Sequence, residues 1–298
     1  MSVTNMAASV HARLLNMAKA ANKPFSEVLQ HYAIERFLYR LSKSPHQPQF
    51  ILKGALVFMA WGIPRTRPTR DIDLLGYGRN ETEPLVEMMK AVCDVEVIND
   101  GLHFNADSVH GEKIRMRTNY AGVRIKLRAT LDNARIPMQI DIGFGDVVVP
   151  EPISFEYPVL LDLPAPMLRG YTRETVVAEK YHALVSLDQF NSRMKDFYDL
   201  WELARHFKFD GQVLHQAISE TFLRRETSLP TSLPTGLSDD FVIEKEQQWQ
   251  AFKRRIRSDE DAPRLSAVVH LLRQFLYLDH MKNQYWHQGK WQSSKSPI

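Results

Sequence analysis

Between Val123 and Phe144 the chain alternates apolar and polar residues strictly enough to dictate a strand, a tight turn and a second strand. Val123, Ile125 and Leu127 alternate with Arg124, Lys126 and Arg128, Asp132-Asn133 supplies turn chemistry, and Met138, Ile140, Ile142 and Phe144 alternate with Gln139 and Asp141. Successive side chains of a strand point to opposite faces, so one face of each strand is core and the other polar. Asp141 therefore projects from a polar face.

The flanking segments mix helix and strand patterns. Residues 4–43 predict two helices broken at Asn22-Lys23-Pro24; the second carries Phe25, Val28, Leu29, Tyr32, Ala33, Phe37 and Leu41 at helical spacing, with Ser26 placed to cap its start. Residues 1–45 thus read as a helical brace packed on the block beyond it. Phe50–Leu52 predicts a strand, Leu56–Trp61 a helix, Ile72–Leu75 a strand and residues 82–92 a helix, with several short alternating segments after it. Residues 46–165 form an α+β block ending in a Pro-rich passage, Pro150–Pro166, that reads as a linker. From about residue 172 helical patterns dominate, so 166–282 is expected to be a helical C-terminal domain. It is interrupted by the Ser/Thr/Pro/Gly-rich loop Thr227–Asp240, expected to be mobile, and succeeded by a polar tail, 283–298, expected to be poorly ordered.

At 298 residues and 44% apolar composition the chain has material for a substantial core, and its net charge of +3, with acids and bases intermixed, does not itself demand a nucleic-acid partner. The single cysteine, Cys93, excludes an internal disulfide and a cysteine-based zinc site. The N-terminus carries no signal-like apolar run, and no segment approaches the roughly 20 apolar residues of a membrane span. A cytoplasmic monomer with no membrane partner is the simplest expectation. The 11 histidines lack metal-ligand spacing, and neither a Ser-His-Asp order nor a phosphate-loop motif is present.

The stretch Lys53–Leu74 carries the chemistry. Asp71 and Asp73 share one face of their strand, and with Asp141 they are three hard-oxygen donors of the kind that hold Mg²⁺, or alternatively Mn²⁺, on a nucleoside triphosphate. Two such ions roughly 3.5–4 Å apart can clamp the attacking and leaving oxygens of an in-line displacement. Gly54 lets the backbone approach a phosphate, and the helix after it aims its N-terminus at that anion. An isolated Asp-x-Asp is equally well explained as a solvated strand end; the ordered set of Lys-Gly, helix, Asp-Ile-Asp and a later Asp sets this one apart.

Two basic sets, Arg65, Arg67 and Arg70 before the aspartates and Arg124, Lys126 and Arg128 on one strand face, could neutralise a triphosphate or an RNA backbone; the second could equally be a solvated face. Lys253-Arg254-Arg255 with Arg257 reads as helix surface. Lys180 lies at helical spacing from Val176, Val177, Ala183 and Leu184, so it either snorkels to water or faces an anion. Asp196, just ahead of Phe197, Leu200 and Leu203, either favours the positive end of its helix or acts directly, and Asp199 reads as structural.

Gly54-Ala55 with Asp71-Ile72-Asp73 downstream resembles the signature of the nucleotidyltransferase (polymerase-beta-like) superfamily, in which a Gly-Gly or Gly-Ser turn precedes the aspartate pair. More narrowly, LKGALVF, RPTRDIDLL, QIDIGFGD, AEKYHALVSL and RMKDFYDLW, in that order, resemble the AbiEii/AbiGii toxin family of type IV toxin-antitoxin and abortive-infection systems. The resemblance implies a nucleotidyltransferase-fold domain with a mixed sheet and flanking helices, then a mostly helical domain. It implies Mg²⁺-dependent transfer of a nucleotide from an NTP to an acceptor, with a tRNA 3′ end favoured and a protein the alternative, and a cognate antitoxin as partner. Asp71, Asp73, Asp141, Lys180 and Asp196 become the catalytic set, in a cleft between two domains, with the first three at the metal. Lys53, Gly54, Ala55, Thr69, Arg70 and Lys180 become the nucleotide-binding set, and Thr69 is also a candidate for self-modification. Ala55 stands where a Gly or Ser often donates to phosphate, a task Lys53 or the Thr69 hydroxyl would take over. The rival expectation is a noncatalytic module of the same fold that binds RNA or a protein partner.

Overall fold

The computed structural model describes residues 5–63, 69–115, 121–256 and 263–293. They form two compact units: the described residues up to Gly145 together with Ile153–Gly170, and Asp146–Pro152 together with the described residues from Tyr171 onward.

The first unit runs α1 (Met6–Ala20), α2 (Phe25–Lys43), β1 (Phe50–Lys53), α3 (Val57–Ala60), β2 (Asp71–Gly76), α4 (Thr82–Cys93), β3 (Leu102–Arg115), β4 (Ala121–Leu131), β5 (Ala134–Phe144), β6 (Ile153–Glu156) and β7 (Met167–Gly170). Its mixed seven-stranded sheet has the order β3-β4-β5-β2-β1-β7-β6, with β5 parallel to β2, β1 parallel to β7 and the other neighbours antiparallel. The β4–β5 hairpin turns at Asp132, whose φ of 51° lies in the left-handed region as the first central residue of a type II′ turn does, and its inward residues Ile125, Leu127, Ile140 and Ile142 are at most 2% exposed. The segment after α4 is one long strand rather than several short ones. β3 stays continuous across a bulge between Asn105 and His110, where the Ser108 hydroxyl donates to Asn105 O (2.6 Å) and accepts from Arg128 N (2.9 Å). The bulge breaks the two-residue period, so the run looks fragmented in sequence.

The brace helix α2 is buried along most of its length and takes charge into the core with it. Such groups persist only when paired or hydrogen-bonded. Arg40 grips Asp100 through two bonds (2.6 and 3.1 Å), fully buried Glu35 accepts from Leu160 N (2.8 Å), and fully buried Arg36 donates to Pro164 O (2.6 Å). Pro150–Pro166 is therefore no free linker: its backbone gives one hydrogen bond to each of two buried charged side chains of α2, and β6 within it joins the sheet through β7. Ser26 does not cap α2. Pro24 precedes the helix with its constrained φ of −58°, and Ser26 lies inside the first turn.

The second unit contains α5 (Arg173–Leu187), α6 (Met194–His206), β8 (Phe209–Asp210), α7 (Gly211–Arg224), α8 (Asp239–Ile256), α9 (Leu265–Phe275), β9 (Gln284–His287) and β10 (Lys290–Ser293). It is mostly, but not wholly, helical. β9 and β10 form a hairpin that β8 extends into a three-stranded sheet, so the expected polar tail is ordered structure as far as Ser293. Fully buried Trp286 is the reason: its indole donates to Ala204 O (2.6 Å) and its ring packs on Phe275 and Trp291. The Thr227–Asp240 loop is likewise docked, with Gly236 packed on Leu184 and Leu237 buried. Among the described residues no helix is long and apolar enough to cross a membrane.

Candidate active site

Strand register alone assembles one row of charges across the polar face. Lys53 of β1 faces Asp73 of β2, Asp73 faces Asp141 of β5, Asp141 faces Arg124 of β4, and Arg124 faces Glu112 of β3. A second row runs beside it, Asp71, Gln139, Lys126 and His110. Register partners on adjacent strands, about 4.8 Å apart, present side chains to the same face, so Asp71, Asp73 and Asp141 come together.

Within this array two carboxylates have fixed seats. Arg124 donates to both oxygens of Asp141, Nε to Oδ1 and Nη2 to Oδ2, each at 2.9 Å, in the bidentate geometry that makes Arg–carboxylate pairs strong. That hydrogen bond, against a smaller opposing effect of burial and helped by the nearby charges of Asp141 and Asp71, raises the Arg124 pKa further. Asp73 lies against the backbone of Gly54. The glycine has φ +71°, and a Cβ built there would meet the Asp73 carboxylate, with its Cγ only 2.7 Å away. Glycine is required twice over, by the turn and by the carboxylate seated on it.

Among the described residues no three His, Cys, Asp or Glu side chains form a ready-made metal cage. The donor set does fit Mg²⁺, which is commonly bound by one or two carboxylates with the remaining ligands from water and substrate phosphates. Asp71 and Asp73 meet that requirement, whereas Asp141 has both oxygens engaged by Arg124.

The other candidates lie at the edge of this array or in the second unit. The Thr69 hydroxyl donates to Asp71 O at 3.4 Å, placing it at the entry to β2. Arg70 is exposed, Lys53 is buried and Ala55 lies in the turn after Gly54. Lys180 and Asp196 belong to the second unit, where Lys180 Nζ donates to Asp196 Oδ1 (2.9 Å) and Asp199 Oδ2 (2.7 Å). Lys180 thus neither snorkels freely nor faces open solvent, and Asp199 joins it as a partner. Burial alone would raise the Asp196 pKa, but Lys180 and Arg193 outweigh it and hold the carboxyl below its ordinary value. Arg65, Arg67 and Arg257 lie outside the described residues.

Sequence reasoning did not single out Glu112, Gln30 or the cluster around Arg225. Arg225 Nη2 reaches Asp146 (2.9 Å) and Glu179 (3.0 Å), and Glu179 accepts from the Tyr171 hydroxyl (3.0 Å). Asp146 and Glu179 lie within QIDIGFGD and AEKYHALVSL, the only signal that could have pointed to them.

Among solved structures, the chain is similar to an H. pylori crystal structure assigned provisionally as a nucleotidyltransferase, at 16% identity and a TM-score of 0.43 over 83% of this chain and 94% of that one. It is also similar to JHP933 from Helicobacter pylori, at 16% identity and a TM-score of 0.40 over 80% and 94%. No curated protein matches the sequence. The family model described as "Nucleotidyl transferase AbiEii toxin, Type IV TA system" matches residues 36–271, most of the chain and both units. The chain therefore belongs to the AbiEii nucleotidyl transferase toxin family of type IV toxin-antitoxin systems.

Proposed function

We propose that this chain is a cytoplasmic, Mg²⁺-dependent nucleotidyltransferase that moves a nucleotide from an NTP to an acceptor, favouring a tRNA 3′ end, and so acts as the toxin of a type IV pair. Family membership supports the reaction class and a cognate antitoxin as partner. One observation supports the residues: Asp71 and Asp73 share a polar strand face, and the Asp73 carboxylate is seated on the Gly54 turn.

In the transfer, the acceptor hydroxyl oxygen forms a bond to the α-phosphorus as the bond to the β-phosphate breaks and pyrophosphate leaves. A bound Mg²⁺ would supply Lewis-acid stabilisation of the phosphoryl oxygens, held by Asp71 and Asp73. Gly54 lets the Asp73 carboxylate sit against the turn where the triphosphate is received, and Thr69 and Arg70, at the entry to β2, contact the nucleotide. Arg124 holds Asp141 in register, and Asp141 takes the hydroxyl proton once Arg124 yields one of its oxygens. The contribution of the protein is mainly positioning and electrostatics.

Lys180 and Asp196 are assigned here on family resemblance, and their mutual ion pair means that stability must be measured beside activity in any variant. A noncatalytic RNA- or protein-binding module is the second reading, favoured by Ala55 and by the hold of Arg124 on both Asp141 oxygens. Incubation of purified protein with each α-labelled NTP, Mg²⁺ and total tRNA separates the two. Label in RNA that disappears when Mg²⁺ is omitted supports the enzyme, and RNA binding without label supports the module.

A further inference from the structure

On the β5 side of Asp71 the polar face sinks into a cavity of about 900 Å³, walled by the start of α2, the β3 bulge, β4 and β5. We propose that this cavity receives the acceptor, as the unpaired end of a phosphodiester strand. The proposal rests on the nucleotidyltransferase reading above and adds a site to it.

Position is the first reason. The sheet order β5-β2-β1 sets the Gly54 turn on one side of the Asp71–Asp73 strand and the cavity on the other. In an in-line displacement the attacking and leaving oxygens lie on opposite sides of the phosphorus. A triphosphate at the glycine turn leaves the cavity side to the attacker.

Chemistry is the second. Arg128 and Arg135 are exposed residues lining the cavity, and arginine is the side chain best suited to bidentate phosphate contacts. Lys126 is also there but is tied to Glu112 at 2.8 Å. Glu27 and Asp107 line the cavity as well, so its charge favours a ligand with few phosphates over a polyanion filling the whole space. The amide oxygens of Gln30 and Gln139 add acceptors suited to base edges, their nitrogens being engaged within the protein. The volume matches pockets that enclose a single small ligand, enough for a terminal nucleotide or two and too little for a duplex.

Preformation is the third. Gln30 Nε2 donates to Pro137 O (3.1 Å) and Arg70 O (3.5 Å), fastening α2 across the cavity to β5 and to the entry of β2.

The test measures binding apart from transfer. Fluorescence anisotropy with a short single-stranded oligoribonucleotide, and with a blunt duplex as control, is tracked over a salt series for the native protein, R128Q/R135Q and R128K/R135K. Mg-NTP binding is measured by equilibrium dialysis, and thermal melts confirm folding. The single strand should bind at least tenfold more weakly to the Gln variant, with the salt slope reduced by roughly 0.7 for each phosphate no longer engaged. The Lys variant should retain most binding, and NTP affinity should be unchanged. Equal RNA binding by native and Gln proteins, no RNA binding by the native protein, or loss of NTP affinity in place of RNA affinity would overturn the proposal. If label passes from NTP to a protein acceptor and RNA does not bind, the cavity assignment fails while the transfer reaction stands. If RNA binding depends on both arginines but no label is transferred, the cavity is an RNA site and the enzyme reading fails.

Discussion

Gly54 is where backbone and side-chain demands coincide. Gly54→Ala would place an L-residue at φ +71° and drive a methyl group into the Asp73 carboxylate. The backbone alone costs about 1–2 kcal/mol, and the carboxylate must also move. Thermal melts should show that destabilisation, and label transfer should fall at least tenfold; an active, equally stable variant would show that the carboxylate position is not critical. Glu35 gives a second prediction. Burial, countered by Leu160 N and Arg36, pushes its pKa from the ordinary 4.5 to about 7, so the folded state holds the proton more tightly than the unfolded chain. Its contribution to stability is full below pH 4.5 and is lost as pH rises through about 7, at most roughly 3 kcal/mol. Urea unfolding should show native protein weakening between pH 5 and 8 more than Glu35→Gln, which keeps an acceptor for Leu160 N without the charge; parallel pH curves would refute this. At this scale the polar face was legible, because period-two alternation assigns Asp71, Asp73, Asp141 and Arg124 to polar strand faces. The bidentate hold of Arg124 on Asp141 was not, since it depends on which residues face each other across the hairpin.

Among elements, α5 and α6 are joined by the ion pairs of Lys180 with Asp196 and Asp199, all at most 12% exposed. Lys180→Met would leave two buried carboxylates with their main cation removed, a change that costs about 3–5 kcal/mol. Chemical denaturation should register that loss, and a variant as stable as native would show the pairs to be dispensable. The helices and the β4–β5 hairpin were legible because each carries several repeats of its period. β6 was not: it is an edge strand of four residues, three of them exposed, so no alternation marks it. The β9–β10 hairpin escaped for a related reason, being two four-residue strands set among polar residues. What fixes them is tertiary, the Trp286 indole on Ala204 O and the cluster of Phe275 with Trp286 and Trp291.

For the whole molecule, a net charge of +3 gave no sign of the charged rows, because the cations gathered by strand register are cancelled elsewhere in the count. Ordered motifs were more telling than composition. LKGALVF, QIDIGFGD and RMKDFYDLW all fall within the matched residues 36–271, and together they reach from the carboxylate rows of the first unit to the Lys180 cluster of the second. The central claim is that Asp71 and Asp73 carry nucleotide transfer, and the most direct measurement is label transfer from each NTP to tRNA by native protein and by D71A/D73A, with folding checked in parallel. Native protein should label tRNA with at least one NTP, and the variant, folded and still binding RNA, should lose activity by on the order of a hundredfold or more. Transfer that persists in the variant, or its absence from native protein that binds RNA as well as the variant does, would contradict the claim.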